Sequence, residues 1–481
     1  MSKKIYYCIF VVLIIWNLLS LVYSPIAWFD EVFFASATHS LISGNGLSVE
    51  LDHFEPLVIY GPVYFLLTGA VTKLFGFGIF QFRIVNLLFA FSSVLLLGKI
   101  LNKLNVNKGM SYFIQILMLT DALFVSNSHS GRMECVALFF VLGAYLIYLS
   151  QFNRTIIKAL LISTLLTLAV LTTLRVVVIC IPIAIAQLIK FVKSHSWGEL
   201  SVYLFTPLIL YGIWVFVAFG SVSGMLSYFT QPPTDGIVQQ SLFERFVKGN
   251  WMISKTHYPM ILASLLSIFY FCKKGEIKDM VVFIAPIILY YFLVRDTGIY
   301  GVLILPFYMI IIALGITKIG SETRKYFHVT YKTILVLCML VNCLLFIVKA
   351  YTVITTMERR DPRLARTWVK DNIPYGSKVA GDYQYYYAAV DNGCQFKRIF
   401  RSGAKDEVIF NDVIDNFQPD YIVLGKNNKK TEKLSLFQSS GFENVSCFEY
   451  KNEKNTTITK LLQKANFIVN TTYEGCIFKR N

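Results

Sequence analysis

Ionisable residues are sparse in this chain, and those that could do chemistry fall in a few short runs. The run Trp28-Phe29-Asp30-Glu31 sets two carboxylates side by side just past an apolar stretch. A carboxylate held against a low-dielectric wall gains proton affinity, which suits general-base work. Asp30 and Glu31 are therefore the candidate catalytic residues, against the plainer reading of a solvated helix end. His53-Phe54-Glu55-Pro56, Tyr60-Gly61-Pro62-Val63-Tyr64 and then Arg83 follow. Here Glu55 and Tyr60 are candidate substrate contacts, and Arg83 could pair with a phosphate. The plainer reading is an interfacial anchor whose tyrosines and arginine sit at headgroup level. The third run is His129-Ser130-Gly131-Arg132-Met133-Glu134. Arg132 could meet a phosphate and Glu134 a sugar hydroxyl; a surface ion pair or snorkelling side chains would explain them equally well. Arg175 and Arg295 also fall at the ends of apolar runs. With Arg83 and Arg132 they could ring an anionic lipid headgroup, although Asp296 and Tyr300 offer Arg295 local partners.

Those residues need elements to hold them, and the composition says which. The chain has 481 residues, 55% hydrophobic and only 15% charged, with a mean hydropathy of +0.56. Soluble domains carry about 25% charged residues. A soluble enzyme, a disordered chain and a disulfide scaffold are excluded; a polytopic α-helical membrane protein remains. A crossing helix takes about 20 apolar residues. The segment 5–23 is expected to stay as the first span, not to be cleaved as a signal. Lys3 and Lys4 before it place the N-terminus in the cytoplasm.

Further spans are expected near 84–97, 111–125, 135–149, 160–173, 176–189, 200–219, 259–271, 280–294, 300–316 and 333–350, about 11 in all. The segment 61–77 carries Pro62, Lys73 and three glycines, and suits a helix lying on the membrane surface. Leaving it uncrossed puts Lys99, Lys103 and Lys108 inside, as the positive-inside tendency requires. The first external loop is then about 24–83, and a second large one is about 220–256. The net charge of +16 is assigned to cytoplasmic loops and anionic lipid headgroups, with no nucleic-acid partner.

Beyond residue 350 the composition changes. Charges become frequent, and short β-like runs (Lys378-Val379-Ala380-Gly381 and Tyr421-Ile422-Val423-Leu424-Gly425) alternate with helical patterns such as 364–372. Residues 1–350 read as the membrane domain and 351–481 as an external, extracytoplasmic α/β domain. The nine cysteines contain no Cys-x-x-Cys pair and no metal spacing. Cys447 and Cys476 could form a bridge. Sequons at Asn444, Asn455 and Asn470 matter only in a glycosylating compartment.

Taken in chain order, several phrases match the opening of a known family: Asp30-Glu31, Phe54-Glu55, Gly61-Pro62-Val63-Tyr64, Phe75-Gly76 and Arg83. Arg132-Met133-Glu134, Arg295…Tyr300…Pro306, Trp368…Asn372-Ile373-Pro374 and Pro419-Asp420-Tyr421-Ile422-Val423 continue the pattern. Together they resemble the GT-C glycosyltransferases of the protein-mannosyltransferase and aminoarabinose-transferase type. The resemblance implies transfer of a sugar from a polyprenyl-phosphate-linked donor to a lipid, glycan or protein acceptor, with inversion, on the outer side of the cytoplasmic (inner) membrane. It implies Asp30 as the acceptor's base, Glu31 as its assistant, and Arg83, Arg132 and Arg295 as ligands of the donor phosphate. Glu55 falls where the aminoarabinose branch has Phe-Glu-Lys-Pro; here Pro56 follows Glu55 directly. A divalent metal is a possible cofactor, with no ligands assigned. Abundant Lys, Asn, Ile and Phe suit an AT-rich bacterial genome. Two other classes also account for the spans: a transporter or flippase of lipid-linked saccharides, and a non-catalytic envelope-assembly scaffold.

Overall fold

A computed structural model of the chain describes residues 2–51, 55–56, 60–151, 154–230, 257–294, 298–322, 325–399, 410–425, 440–449 and 472–481. All eleven segments expected to span are helical in it. They are α1 (Lys3–Ser20), α4 (Ile79–Lys103), α5 (Lys108–Thr120) with α6 (Ala122–His129), α7 (Glu134–Leu149), α8 (Thr155–Val170), α9 (Val177–Lys193) and α10 (Trp197–Phe219). After α11 (Val222–Thr230) come α12 (Tyr258–Lys274), α13 (Ile277–Leu293), α14 (Leu305–Glu322) and α15 (Lys325–Thr355). Five helices are by themselves long and apolar enough to cross a membrane, and a sixth span arises if α5 and α6 count as one; others are shorter apolar helices.

Their outward faces fit lipid as the solvent. Leu208, Phe216 and Val217 of α10 stand mostly exposed, a pattern that water would penalise and hydrocarbon does not. The inward faces of α4 and α7 share a core with α5, α9 and α14 through residues such as Val94, Leu97, Leu138, Val141 and Phe307.

Two differences from the sequence expectation concern the segments between spans. The 126–134 stretch, expected as a loop, is helical through His129, because Asp121 breaks the span and starts a new helix. Its Oδ1 accepts from the Leu123 and Phe124 amides at 3.0 and 3.1 Å, satisfying two of the orphan donors of α6. The axis bends by 59° there. His257 faces the second Asp121 oxygen at 2.8 Å, so the break is tied to α12. The region 220–256, expected as an external loop, holds α11 at its start; residues 231–256 lie outside the described residues.

The first expected external loop is structured. It contains α2 (Phe29–Ile42), a two-stranded antiparallel pairing of β1 (Ser48–Val49) with β2 (Glu55–Pro56), and α3 (Val63–Phe75). At about 1.5 Å per residue, the 13 residues of α3 fall short of the ~30 Å hydrocarbon core.

After α15 the chain forms α16 (Pro362–Asn372), α17 (Tyr386–Asp391) and a five-stranded mixed sheet in the order β4-β3-β5-β7-β6. β3 (Lys378–Gly381) pairs in parallel with β4 (Gln395–Arg398) and β5 (Tyr421–Gly425). β7 (Gly475–Arg480) runs antiparallel to β5 and to β6 (Phe442–Phe448). Cys447 and Cys476 face each other across β6 and β7 and are joined as a disulfide. Asn444 is exposed on β6; Asn455 and Asn470 lie outside the described residues. One apolar cluster joins the sheet to the first loop: Val32 and Phe34 of α2, Tyr64 of α3, and Trp368, Tyr386 and Val423 from the tail. This shared core holds the tail over the start of α2.

Candidate active site

Successive residues on a helix point about 100° apart, so Asp30 and Glu31 cannot share one direction. Glu31 turns inward and is fully buried with Arg83 from the first turns of α4. The pair is a two-pronged fork: Arg83 Nε donates to Glu31 Oε1 at 2.7 Å and Nη2 to Oε2 at 2.6 Å. Arg83 Nη1 also donates to the Leu21 and Pro25 carbonyls, both at 2.7 Å. Tyr387 of the tail reaches Glu31 Oε1 at 3.5 Å. Burial pushes the Glu31 carboxyl up from its ordinary value, with Arg83 pulling the other way. A buried ion pair whose desolvation outweighs its attraction adds little net stability. What it does here is fix position: it locks the chain between α1 and α2 onto α4. Glu31 and Arg83 spend their charges on each other, not on an open surface.

Asp30 turns the other way and keeps a third of its side chain exposed. Its Oδ2 accepts from Arg132 Nη1. Arg132 is itself 1% exposed and forks onto Glu134, with Nε to Oε2 at 3.0 Å and Nη2 to Oε1 at 2.9 Å. Burial works against the Arg132 charge, but Glu134 and then Asp30 raise it well above the ordinary guanidinium range. Its plane lies near two aromatic rings, Trp28 at 5.4 Å and Tyr300 at 4.9 Å, within cation–π range. On the Tyr300 ring also sits Arg175, at 3.8 Å. Arg175 Nη1 donates to the Tyr60 hydroxyl at 3.3 Å.

Local backbone packing sets these contacts. Gly131 precedes Arg132, and a Cβ there would stand 2.3 Å from the Phe82 ring and 3.0 Å from Glu31 Cγ. Only glycine lets the loop come this close to the buried pair. Gly61 sits against Leu171, whose carbonyl oxygen would be 1.9 Å from an added Cβ; this contact brings Tyr60 to Arg175. Asn127 Nδ2 donates to the Ile299 carbonyl at 3.0 Å, tying α6 to the short 3-10 turn Ile299–Leu303 that presents Tyr300.

The structure thus gathers Asp30, Arg132, Glu134 and Tyr60 into one connected cluster. It sets Glu31 and Arg83 beneath them as a separate buried pair. Arg295 and the side chain of Glu55 lie outside the described residues. Three participants carried little signal. Arg175 was visible only as a cation at a span end. Tyr300 gave no hint that two guanidinium groups share it, and nothing marked Trp28. The tail contributes as well, since Arg398 lies 5.0 Å from the Phe29 ring and Tyr383 packs edge-on to it.

A guanidinium has five N–H donors. Arg132 spends three on Asp30 and Glu134, which leaves one on each terminal nitrogen. Arg175 has Tyr60 as its one hydrogen-bond partner and forms no ion pair among the described residues. The cluster can therefore accept an anion between two cations beside a partly open carboxylate. The residues do not fit a divalent metal. Both Glu31 oxygens go to Arg83 and both Glu134 oxygens to Arg132. Among the described residues no three His, Cys, Asp or Glu side chains gather as ligands.

No family model and no curated protein matches the chain. Solved structures do. ArnT from Cupriavidus metallidurans in the apo state superposes with a TM-score of 0.60 at 10% identity, over 98% of this chain and 97% of that one. The same protein bound to undecaprenyl phosphate gives 0.56 at 10% identity, over 99% and 98%. The Archaeoglobus fulgidus oligosaccharyltransferase in the apo form gives 0.52 at 10% identity, over 88% of this chain and 70% of that one. At such identity the likeness is one of fold, and over nearly its whole length this chain is folded as the GT-C glycosyltransferases are.

Proposed function

We propose that the protein transfers a sugar from a polyprenyl-phosphate-linked donor to an acceptor at the outer face of the bacterial cytoplasmic membrane. The observation that carries the proposal is the juxtaposition of Asp30, partly open, with Arg132 and Arg175, which have donors to spare. In the reaction, Asp30 takes the proton of the acceptor nucleophile as that nucleophile bonds to the sugar's anomeric carbon. The bond from that carbon to the phosphate oxygen breaks, and the polyprenyl phosphate leaves with the electron pair. One displacement inverts the anomeric centre. Charge grows on the leaving phosphate, where preorganised cations lower the barrier most. Arg132 and Arg175 fill that role; Glu31 and Arg83 hold α2 in place, and Glu134 aligns Arg132. Tyr60 and Glu55 stand as acceptor-side contacts, and Arg295 as a further phosphate ligand.

The helix directions support the orientation. α4 runs from Arg83 to Lys103, and α9 runs from just past Arg175 to Lys190 and Lys193. Lysines thus gather at the ends remote from the site, as for a cytoplasmic face. In the proposed topology of about eleven crossings, the N-terminus lies inside and the tail from residue 351 outside. Supporting this reading, the ArnT structure with undecaprenyl phosphate shows a protein of this fold binding a polyprenyl phosphate.

The test gives purified protein a labelled polyprenyl-phospho-sugar and a crude envelope extract. Transfer by the native protein and its loss in Asp30→Asn, at unchanged folding, supports the proposal. Undiminished transfer by Asp30→Asn removes Asp30 from the mechanism. Carrier movement across vesicles without sugar transfer replaces the enzyme by a flippase.

A further inference from the structure

A second feature lies far from Asp30. A groove of about 620 Å³ runs between α9 and α13, walled by Pro182, Ile185, Val281, Ala285 and Ile288, with Lys278 at one end. Tyr148 and Leu149, at the end of α7, also line it. α7 begins at Glu134 in the candidate site and has 16 residues, so at about 1.5 Å per residue the two sites lie roughly 24 Å apart along the helix axis. In a hydrocarbon core about 30 Å thick, the groove belongs to the opposite leaflet.

The groove is built into the helices. Both carry an internal proline, Pro182 and Pro286, and each proline frees the carbonyl four residues earlier. For Pro286 that carbonyl is Val282, and the Tyr145 hydroxyl donates to it at 3.0 Å. The freed carbonyl is thereby satisfied inside the protein, leaving the groove wall apolar. Its mouth is cationic. Lys278 lines it and Lys190 directly follows Ile189 of the wall; both are exposed, and Lys190 lies close enough to Lys158 for their charges to repel. Lys158 spends its ammonium on the Tyr148 and Ser150 carbonyls, at 2.8 and 2.6 Å. Of the nearby carboxylates, Glu276 pairs with Lys318 and Glu199 accepts from Thr155. An apolar slot under two exposed ammonium groups, neither of which forms an ion pair among the described residues, complements one kind of molecule.

We propose that this groove holds an acyl chain of an anionic phospholipid from the leaflet opposite the candidate site, with its phosphate on Lys278 and Lys190. The same two helices lead to the site: Arg175 stands two residues before the start of α9, and the turn after α13 carries Tyr300, against which Arg175 packs. A chain lodged between α9 and α13 supports the spacing of that pair. The proposal does not depend on Asp30 or on sugar transfer.

Native mass spectrometry of the full-length protein in detergent micelles, with phosphatidylglycerol or phosphatidylcholine added, tests it. Phosphatidylglycerol is expected to be retained over phosphatidylcholine, by about five-fold for each lysine engaged. Lys278→Gln, an exposed change that spares folding, should lose about five-fold for phosphatidylglycerol and leave phosphatidylcholine unchanged. Ala285→Trp, which fills the slot, should release both lipids. Equal retention of the two lipids by the native protein overturns the proposal, as does unchanged phosphatidylglycerol retention in Lys278→Gln. Should Ala285→Trp fail to fold, the Lys278→Gln comparison decides alone.

Discussion

The buried pair of Glu31 and Arg83 offers the sharpest test of the division between positioning and chemistry. In Glu31→Gln the side chain keeps its shape, but a fully buried guanidinium loses its counter-charge. Breaking such a pair from one side costs about 3–5 kcal/mol. Arg83→Met costs more, because the Leu21 and Pro25 carbonyls also lose their donor, at about 1–3 kcal/mol for each orphaned acceptor. In the double variant no uncompensated charge remains, and only the carbonyl loss persists. The double-mutant cycle should therefore show a coupling of about 3–5 kcal/mol, with the double variant more stable than Arg83→Met alone. Reversible unfolding in mixed micelles measures all four proteins. Additive losses, or a Glu31→Gln change below about 1 kcal/mol, would refute the reading of a coupled buried pair. Turnover separates the roles. A positioning pair lowers activity only as the folded fraction falls, whereas a general-acid or general-base role for Glu31 would cost about 10²–10⁴-fold with the unfolding midpoint unmoved.

Other outcomes follow from neighbouring contacts. Asp30→Asn should lower turnover by about 10²–10⁴-fold at little cost in stability, since Asp30 is partly exposed; single-turnover transfer and a melting curve check both halves. Tyr300→Leu removes the ring shared by Arg132 and Arg175, at about 0.5–2 kcal/mol per contact, and should raise the KM for the donor well above that of Tyr300→Phe, which keeps the ring. Gly131→Ala places a methyl against Phe82 and Glu31 and should destabilise by about 1–3 kcal/mol through overpacking, read as a lower unfolding midpoint. Replacing both Cys447 and Cys476 by Ser opens a link across 29 residues and should cost about 3–4 kcal/mol by the loop-entropy relation, read by limited proteolysis of the tail.

Membrane embedding, the run of helices and the small tail sheet were legible in the amino-acid sequence, because each depends on local periodicity and composition. Twenty apolar residues form a helix in hydrocarbon whatever their partners are, since no other backbone conformation satisfies its own hydrogen bonds there. The candidate residues, too, were legible as rare charges in apolar surroundings. Which charge meets which was not. Asp30 and Glu31 are neighbours in sequence and equivalent in type, yet one faces an opening and the other is sealed inside. That choice is made by partners 102 and 52 residues away, Arg132 and Arg83. The placing of Arg175 and Arg132 on one tyrosine ring, the break at Asp121 and the docking of Tyr387 over Glu31 are likewise products of packing between distant segments. Electrostatic pairing in a low-dielectric interior is decided by distance and burial, and chain order encodes neither.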